Sequence, residues 1–267
     1  MSHFWKNKTV LITGAASGIG KLMAEKTLKM GATVWMWDIN AAQLESVCAE
    51  FSSLGTAYAQ VVDIADLAQI QKAADVLLQQ SNGLDVLINN AGIVVGKYFH
   101  EHSVSDIKRT MAINADAPMY VTQAFINSMM QRNIGHVCTI TSSAGLISNP
   151  KMSVYVASKW AATGWSDSLR IEMKQLKKNI HVTTVTPYYI NTGMFDGVKS
   201  RIPILKPDAI TDSILRAIEK KKIYLSRPWS VRFVRFSQGL LPVWLFDWFV
   251  GRVLGIYKTM EHFKGRK

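Results

Sequence analysis

Tyr155-Val156-Ala157-Ser158-Lys159 sets a phenol and an ammonium four residues apart in a stretch of helical period. Residues i and i+4 share one face of a helix, so both groups point into one pocket. A cation beside a phenol lowers its pKa toward neutrality and fits it for general acid/base work. Upstream, Thr141-Ser142-Ser143-Ala144-Gly145 closes an apolar run. Ser142 there offers a hydroxyl to hydrogen-bond a substrate oxygen while Tyr155 moves the proton. Either feature alone is weak, since a serine in such a cluster also suits a plain turn and Tyr-x3-Lys arises by chance.

A second constellation lies near the start. Thr13-Gly14-Ala15-Ala16-Ser17-Gly18-Ile19-Gly20 joins an apolar run to a helix-period segment. A strand, a glycine-rich turn and a helix N-terminus hold a pyrophosphate on free backbone N–H groups. Gly14 allows the turn, while Gly18 and Gly20 allow close approach of ligand and sheet. The same three glycines also suit a simple tight turn. The second apolar run ends at Asp38, whose carboxylate can accept from a ribose diol and would repel a 2′-phosphate. No Lys or Arg occupies positions 15–18 or 39–42, so NAD is favoured over NADP. Asp63, just before Ile64, could reach an adenine edge or serve as a helix N-cap.

These groups need elements to position them. Apolar runs at Thr9–Thr13, Thr33–Trp37, Ala57–Asp63, Asp85–Asn89, His136–Thr141, His181–Thr186 and Lys222–Ser226 read as strands. Between them Gly18–Met30, Ala41–Phe51, Leu67–Gln80, Asp106–Arg132, Ser153–Lys177 and Pro207–Lys221 read as helices. Strands this apolar, separated by single helices, form a parallel sheet covered on both faces. The expectation is a doubly wound α/β chain of about seven strands, one domain over 1–267, with an aromatic-rich C-terminal extension over 227–267.

Composition narrows the setting. In 267 residues, 48% hydrophobic and 19% charged, there is too much apolar content for disorder. Cys48 and Cys138 are too few for a disulfide scaffold or zinc ribbon and read as reduced, buried thiols. His100 and His102 lack a third ligand, so no metal is expected. No signal peptide is visible near Met1, and no run approaches the roughly 18 apolar residues of a membrane span. The expected setting is cytoplasmic. The net charge is +12, but Lys199 to Lys267 alone holds 15 Lys and Arg against 5 Asp and Glu. Such asymmetry suits an anionic surface.

Taken in order, Thr13-Gly14-x3-Gly18-Ile19-Gly20, Asn89-Asn90-Ala91-Gly92, Asn114, Ser142, Tyr155-x3-Lys159 and Pro187-x4-Thr192 resemble the short-chain dehydrogenase/reductases over nearly the whole chain. The resemblance implies a Rossmann sheet and hydride transfer with a nicotinamide cofactor. It implies Tyr155 as acid/base, Ser142 as the group polarising the substrate oxygen, and Lys159 as holder of the nicotinamide ribose and depressor of the Tyr155 pKa. Asn114 would keep a relay water. Asn90, with Ala91 and Gly92, would contact the cofactor, and Ile190 with Thr192 would grip the nicotinamide amide. The family usually has Pro-Gly where this chain has Pro187-Tyr188, a change that narrows the pocket and questions the loop's backbone angles.

Trp37-Asp38-Ile39-Asn40, Pro187 to Phe195, and Met260-x-x-Phe263-Lys264-Gly265-Arg266 are similar to the branch holding epidermal retinol dehydrogenase and lipid-droplet 17-beta-hydroxysteroid dehydrogenases. That branch implies NAD-dependent oxidation of a hydrophobic alcohol, with a homodimer or homotetramer built through the Asp106–Arg132 and Ser153–Lys177 segments. Many of its members carry an N-terminal anchor; this sequence starts almost at its first strand, and attachment by that route is not expected. Aromatics from Trp229 to Phe263 interleave with Arg232, Arg235 and Arg252. They suit a substrate cover, a dimer contact or peripheral contact with a membrane, and fit nucleic acid poorly. A carbonyl reductase for polar or carrier-bound ketones, and a non-catalytic NAD-binding scaffold, are the other readings.

Overall fold

The computed structural model describes residues 3–265; Arg266 of the terminal motif lies outside the described residues. Strands β1 (Thr9–Thr13), β2 (Thr33–Asp38), β3 (Ala57–Val61), β4 (Val86–Asn89), β5 (Gly135–Ile140), β6 (Ile180–Pro187) and β7 (Tyr224–Arg227) form one parallel sheet. Their order is β3-β2-β1-β4-β5-β6-β7, the doubly wound arrangement expected. The winding reverses between β1 and β4, and a crevice opens there beyond the carboxyl ends of the strands.

Alternation along the strands feeds two cores. Val10, Ile12, Val34 and Met36 face α1 (Gly18–Lys29), α2 (Ala41–Phe51) and, later in the chain, α7 (Pro207–Glu219). Leu11, Trp35 and Trp37 face α3 (Leu67–Gln80), α5 (Ala117–Arg132) and α6 (Ser153–Gln175). With both faces of the central strands buried, most of their positions are apolar, and buried polar ones such as His136, Thr183 and Thr184 are hydrogen-bonded; the edge strand β3 stays largely exposed.

Helix starts follow local capping. Asn40 accepts from the Gln43 N–H at 3.0 Å to begin α2. Asp66, not Asp63, caps α3, accepting from Ala68 and Gln69 N–H. Asp63 instead turns back on itself by accepting from Ala65 N–H at 2.9 Å.

The segment 106–132 departs from the single helix expected. It is α4 (Val104–Met111), a π-turn (Ala112–Asp116) and α5. Pro118 has no N–H to offer the carbonyl four residues back, that of Asn114, so the ladder opens by one residue. The Ala117 N–H accordingly reaches Ala112 O.

Beyond β7 the chain forms a 3-10 turn (Trp229–Arg232), α8 (Phe233–Leu240), α9 (Val243–Trp248), a second π-turn (Phe249–Val253) and a short 3-10 turn (Ile256–Lys258). Phe246, Val250 and Ile256 pack with Ile147 and Ile202. Met260 and Phe263 then return to the carboxyl rim beside Tyr155 and Tyr189. No helix among the described residues is long and apolar enough to cross a membrane.

Candidate active site

The glycine-rich turn leaves β1 and is tied to β2: Gly14 N–H donates to Trp37 O at 2.7 Å and Ala16 N–H to the Asp38 carboxylate at 2.9 Å. Gly14 and Gly18 sit at φ of +66° and +56°, where a side chain is strained. A Cβ on Gly20 would overlap the Gly14 carbonyl and the Asn90 amide. Asn90 spends its side chain here, donating to Thr13 O at 2.9 Å and Gly14 O at 3.1 Å. The Thr13 hydroxyl accepts from the Asn90 and Ala91 N–H groups. Asn90 is therefore a brace between β4 and the turn, and what it offers a ligand is position.

From this turn a cleft of about 290 Å³ runs along the rim. Gly14, Ser17, Gly18, Ile19, Asp38, Asp63 and Ile64 line one end, and Ser142, Tyr155, Lys159, Pro187, Ile190 and Thr192 line the other, with Asn90, Ala91 and Gly92 between. Asp38 accepts one backbone N–H on each oxygen, from Ala16 and Asn40. A carboxylate has about four acceptor sites, so room remains for a diol. A dinucleotide fits this shape: a positive-φ glycine at one bank, Thr192 facing Gly18 across it, and a carboxylate at the end of β2.

Tyr155 and Lys159 share the inner face of α6 and are only 4% and 5% exposed. Lys159 donates from Nζ to Ile140 O at 3.1 Å, and its ammonium lies 5.8 Å from the Tyr155 ring centre. Burial pulls Lys159 down to about 8. The same burial pushes Tyr155 up to about 12, with hydrogen bonding from Ser142 opposing it. This corrects the expected depression: in the chain alone the phenolate is desolvated, and Lys159 directs its N–H at a carbonyl rather than at the phenol. Ser142 opens a 3-10 turn, its hydroxyl accepting from Ala144 N–H at 3.1 Å.

Asn114 sits in the π-turn. Its amide donates to Ile93 O and Ser158 Oγ, and its carbonyl accepts from Ile93 N–H at 2.8 Å. A Cβ on Gly92 would stand 3.1 Å from Asn114 Oδ1 and 3.5 Å from Lys159 Nζ. Gly92 thus marks the point where these two groups meet. Tyr188 does not take the positive φ that would call for glycine. Its N–H donates to Arg227 O and its hydroxyl pairs with Ser200 at 2.8 Å, so the loop after β6 accepts a tyrosine without strain.

Sequence reasoning offered the C-terminal aromatics as a substrate cover but gave the residues of the wall beside Tyr155 no individual role. Phe195 meets the Tyr155 ring edge-on at 6.1 Å and Tyr189 at 4.9 Å. Met260 and Phe263 sit against Gly96 so closely that a Cβ there would overlap the Phe263 ring. Lys264 N–H donates to Asp196 O. A buried polar latch joins three distant segments: Asn149 donates to Tyr189 Oη at 3.0 Å and Thr259 Oγ1 at 2.9 Å. Arg109 also lines the cleft. No local spacing signals these residues, because the chain brings them together only through the sheet's topology.

The match to known proteins is extensive. Residues 8–202 fit the family model described as short chain dehydrogenase. The chain belongs to that family, and it is an oxidoreductase of the kind acting on alcohol CH–OH groups. Among its relatives is epidermal retinol dehydrogenase 2 of Mus musculus, 34% identical over 265 residues, covering 97% of this chain and 85% of the relative. Another is estradiol 17-beta-dehydrogenase 11 of Macaca fascicularis, 32% identical and covering 87% and 79% respectively. A short chain dehydrogenase/reductase of Burkholderia phymatum, solved with NAD, superposes at a TM-score of 0.81 over 90% of this chain and 95% of its own; at 23% identity it speaks to the fold.

Proposed function

We propose that the protein is an NAD-dependent dehydrogenase interconverting a hydrophobic primary or secondary alcohol, of retinoid, steroid or long-chain type, and its carbonyl. The observation that carries this is the convergence of Ser142, Tyr155 and Lys159 in one cleft with the glycine-rich turn. The apolar side of that cleft, with Ile93, Tyr188, Met194 and Phe195 beside Tyr155 and with Tyr189, Val198 and Met260 packed behind them, supports a bulky apolar substrate.

When bound, the dinucleotide supplies the hydride acceptor or donor. Gly14, Ser17, Gly18, Ile19 and Gly20 hold its pyrophosphate, and Asp38 its adenosine ribose. Asp63 and Ile64 lie at the adenine end. Asn90, Ala91 and Gly92 form the floor, and Pro187, Ile190 and Thr192 the nicotinamide end. Tyr155 takes the hydroxyl proton in oxidation and returns it in reduction, while Ser142 orients the substrate oxygen. Lys159 holds the second ribose, its ammonium 5.8 Å from the Tyr155 ring centre. Asn114 keeps a water that relays protons from Lys159. Asp38, with no cation at 15–18 or 39–42, supports NAD over NADP. Exposed Trp160 and Ile171 on α6 and Tyr120 on α5 support a homodimer or homotetramer.

A spectrophotometric screen of apolar alcohols with NAD and NADP in parallel tests the reading. Turnover is expected with NAD, and Tyr155→Phe is expected to lose about 10²- to 10⁴-fold in kcat. A wild type inert toward every apolar alcohol, or a Tyr155→Phe variant as fast as wild type, overturns it.

A further inference from the structure

We propose that the outward side of α8, α9 and the π-turn after them is a docking surface for an anionic lipid bilayer. These helices already bury one side. Val234, Leu241, Phe246 and Val250 turn inward toward Ile147 and Ile202, and Gln238 donates to Leu146 O at 3.0 Å. The opposite side of such helices ordinarily meets water and is polar. Here it carries Phe233, Phe236 and Leu240 on α8, then Val243, Trp244 and Trp248 on α9, all exposed; Trp244 is 70% exposed and Val243 76%. Trp229 stacks edge-on against Phe233 at 5.6 Å and extends the patch.

Charge decides what covers it. Arg232, Arg235 and Arg252 are exposed along the same segment. Asp247 is the only carboxylate between 229 and 253, and it accepts from the Tyr257 hydroxyl at 2.6 Å. A second copy docked on this patch about a twofold axis would press two faces of net positive charge together. Arg235 already lies over the Tyr224 ring at 5.3 Å; phosphate headgroups answer Arg232 and Arg252, and tryptophan with arginine is the side-chain chemistry of the headgroup layer. The excess of Lys and Arg over residues 199–267 adds long-range attraction of the same sign. The surface adjoins the loop after Ser142 through Leu146 and Ile147, so a lipid-dissolved alcohol would reach Tyr155 from the bilayer. That last clause rests on the proposed function; the docking itself does not.

The test is co-sedimentation of the whole chain with phosphatidylcholine vesicles and with vesicles containing about one-third phosphatidylglycerol, without any alcohol present. Binding to the anionic vesicles is expected, weakening as salt rises. Phe236→Glu with Trp244→Glu should weaken it at least about tenfold. Arg232→Gln with Arg252→Gln should weaken it about fivefold per arginine and flatten the salt dependence. Circular dichroism and turnover of a short, water-soluble alcohol check that each variant folds, and the arginine pair remains informative if the glutamates unfold the chain. Wild type that ignores anionic vesicles, variants that bind as wild type does, or a self-association that the glutamates abolish while vesicle binding is absent would each overturn the proposal. Loss of alcohol turnover with vesicle binding intact would instead strike only the substrate reading.

Discussion

Lys159 is a cation with little access to water, 5% exposed at the wall of the cleft. Its ammonium has one protein acceptor, Ile140 O, and burial holds it near 8. A group with that pKa exchanges protons readily around neutral pH, which suits the relay role proposed for it. The same burial leaves a signature in stability. Between about pH 8 and 10 the unfolded chain still holds a lysine proton that the folded chain has released, so folding stability rises with pH in that window. Tyr155, raised to about 12, acts in the opposite sense only above about pH 10. Urea unfolding of wild type and Lys159→Met should therefore show the wild type gaining on the variant, by up to roughly 3 kcal/mol, from about pH 7 to about pH 10. Parallel stability profiles would mean that Lys159 is solvated in the folded chain.

At the scale of elements, the sequence spoke wherever the signal was local. Thr9–Thr13, Ala41–Phe51 and Leu67–Gln80 were readable to the residue, because a short apolar run and the Asn40 and Asp66 caps need no distant partner. Tyr155 and Lys159 were legible for the same reason: one helix carries both. The break at Ala112–Asp116 was not. The helical period runs through it, and the deciding feature is a single missing N–H, that of Pro118, acting one turn upstream. Yet this wide turn is what aims Asn114 at Ile93 and Ser158. Deleting Ala112 should restore an ordinary helix and swing Asn114 by about 100°. The expected outcome is a fall in kcat of about 10²-fold with an unchanged far-UV spectrum. Full activity in that deletion would show that the turn's width is irrelevant to the chemistry.

Over the whole molecule the chain's later residues complete what its earlier ones begin. Asn149, Tyr189 and Thr259 are far apart in sequence and meet in a buried latch that fastens the C-terminal segment beside Tyr155. Replacing Asn149→Leu together with Thr259→Val removes all three hydrogen bonds of the latch; the two that tie Thr259 to the rest, each worth about 1 kcal/mol, should raise local opening of residues 256–264 roughly 30-fold when lost. Hydrogen exchange of that segment measures this directly, and unchanged rates would show that apolar packing alone holds it. The order of these elements also has a consequence for biosynthesis. β7 ends at Arg227, while Met260 and Phe263 lie further along the chain. At ~5–20 residues per second, a ribosome takes roughly 2–7 s to cover that interval. For those seconds the nascent sheet can assemble while the greasy hollow around Tyr155 still lacks a wall, which makes this the stage at which a chaperone has the most to shield.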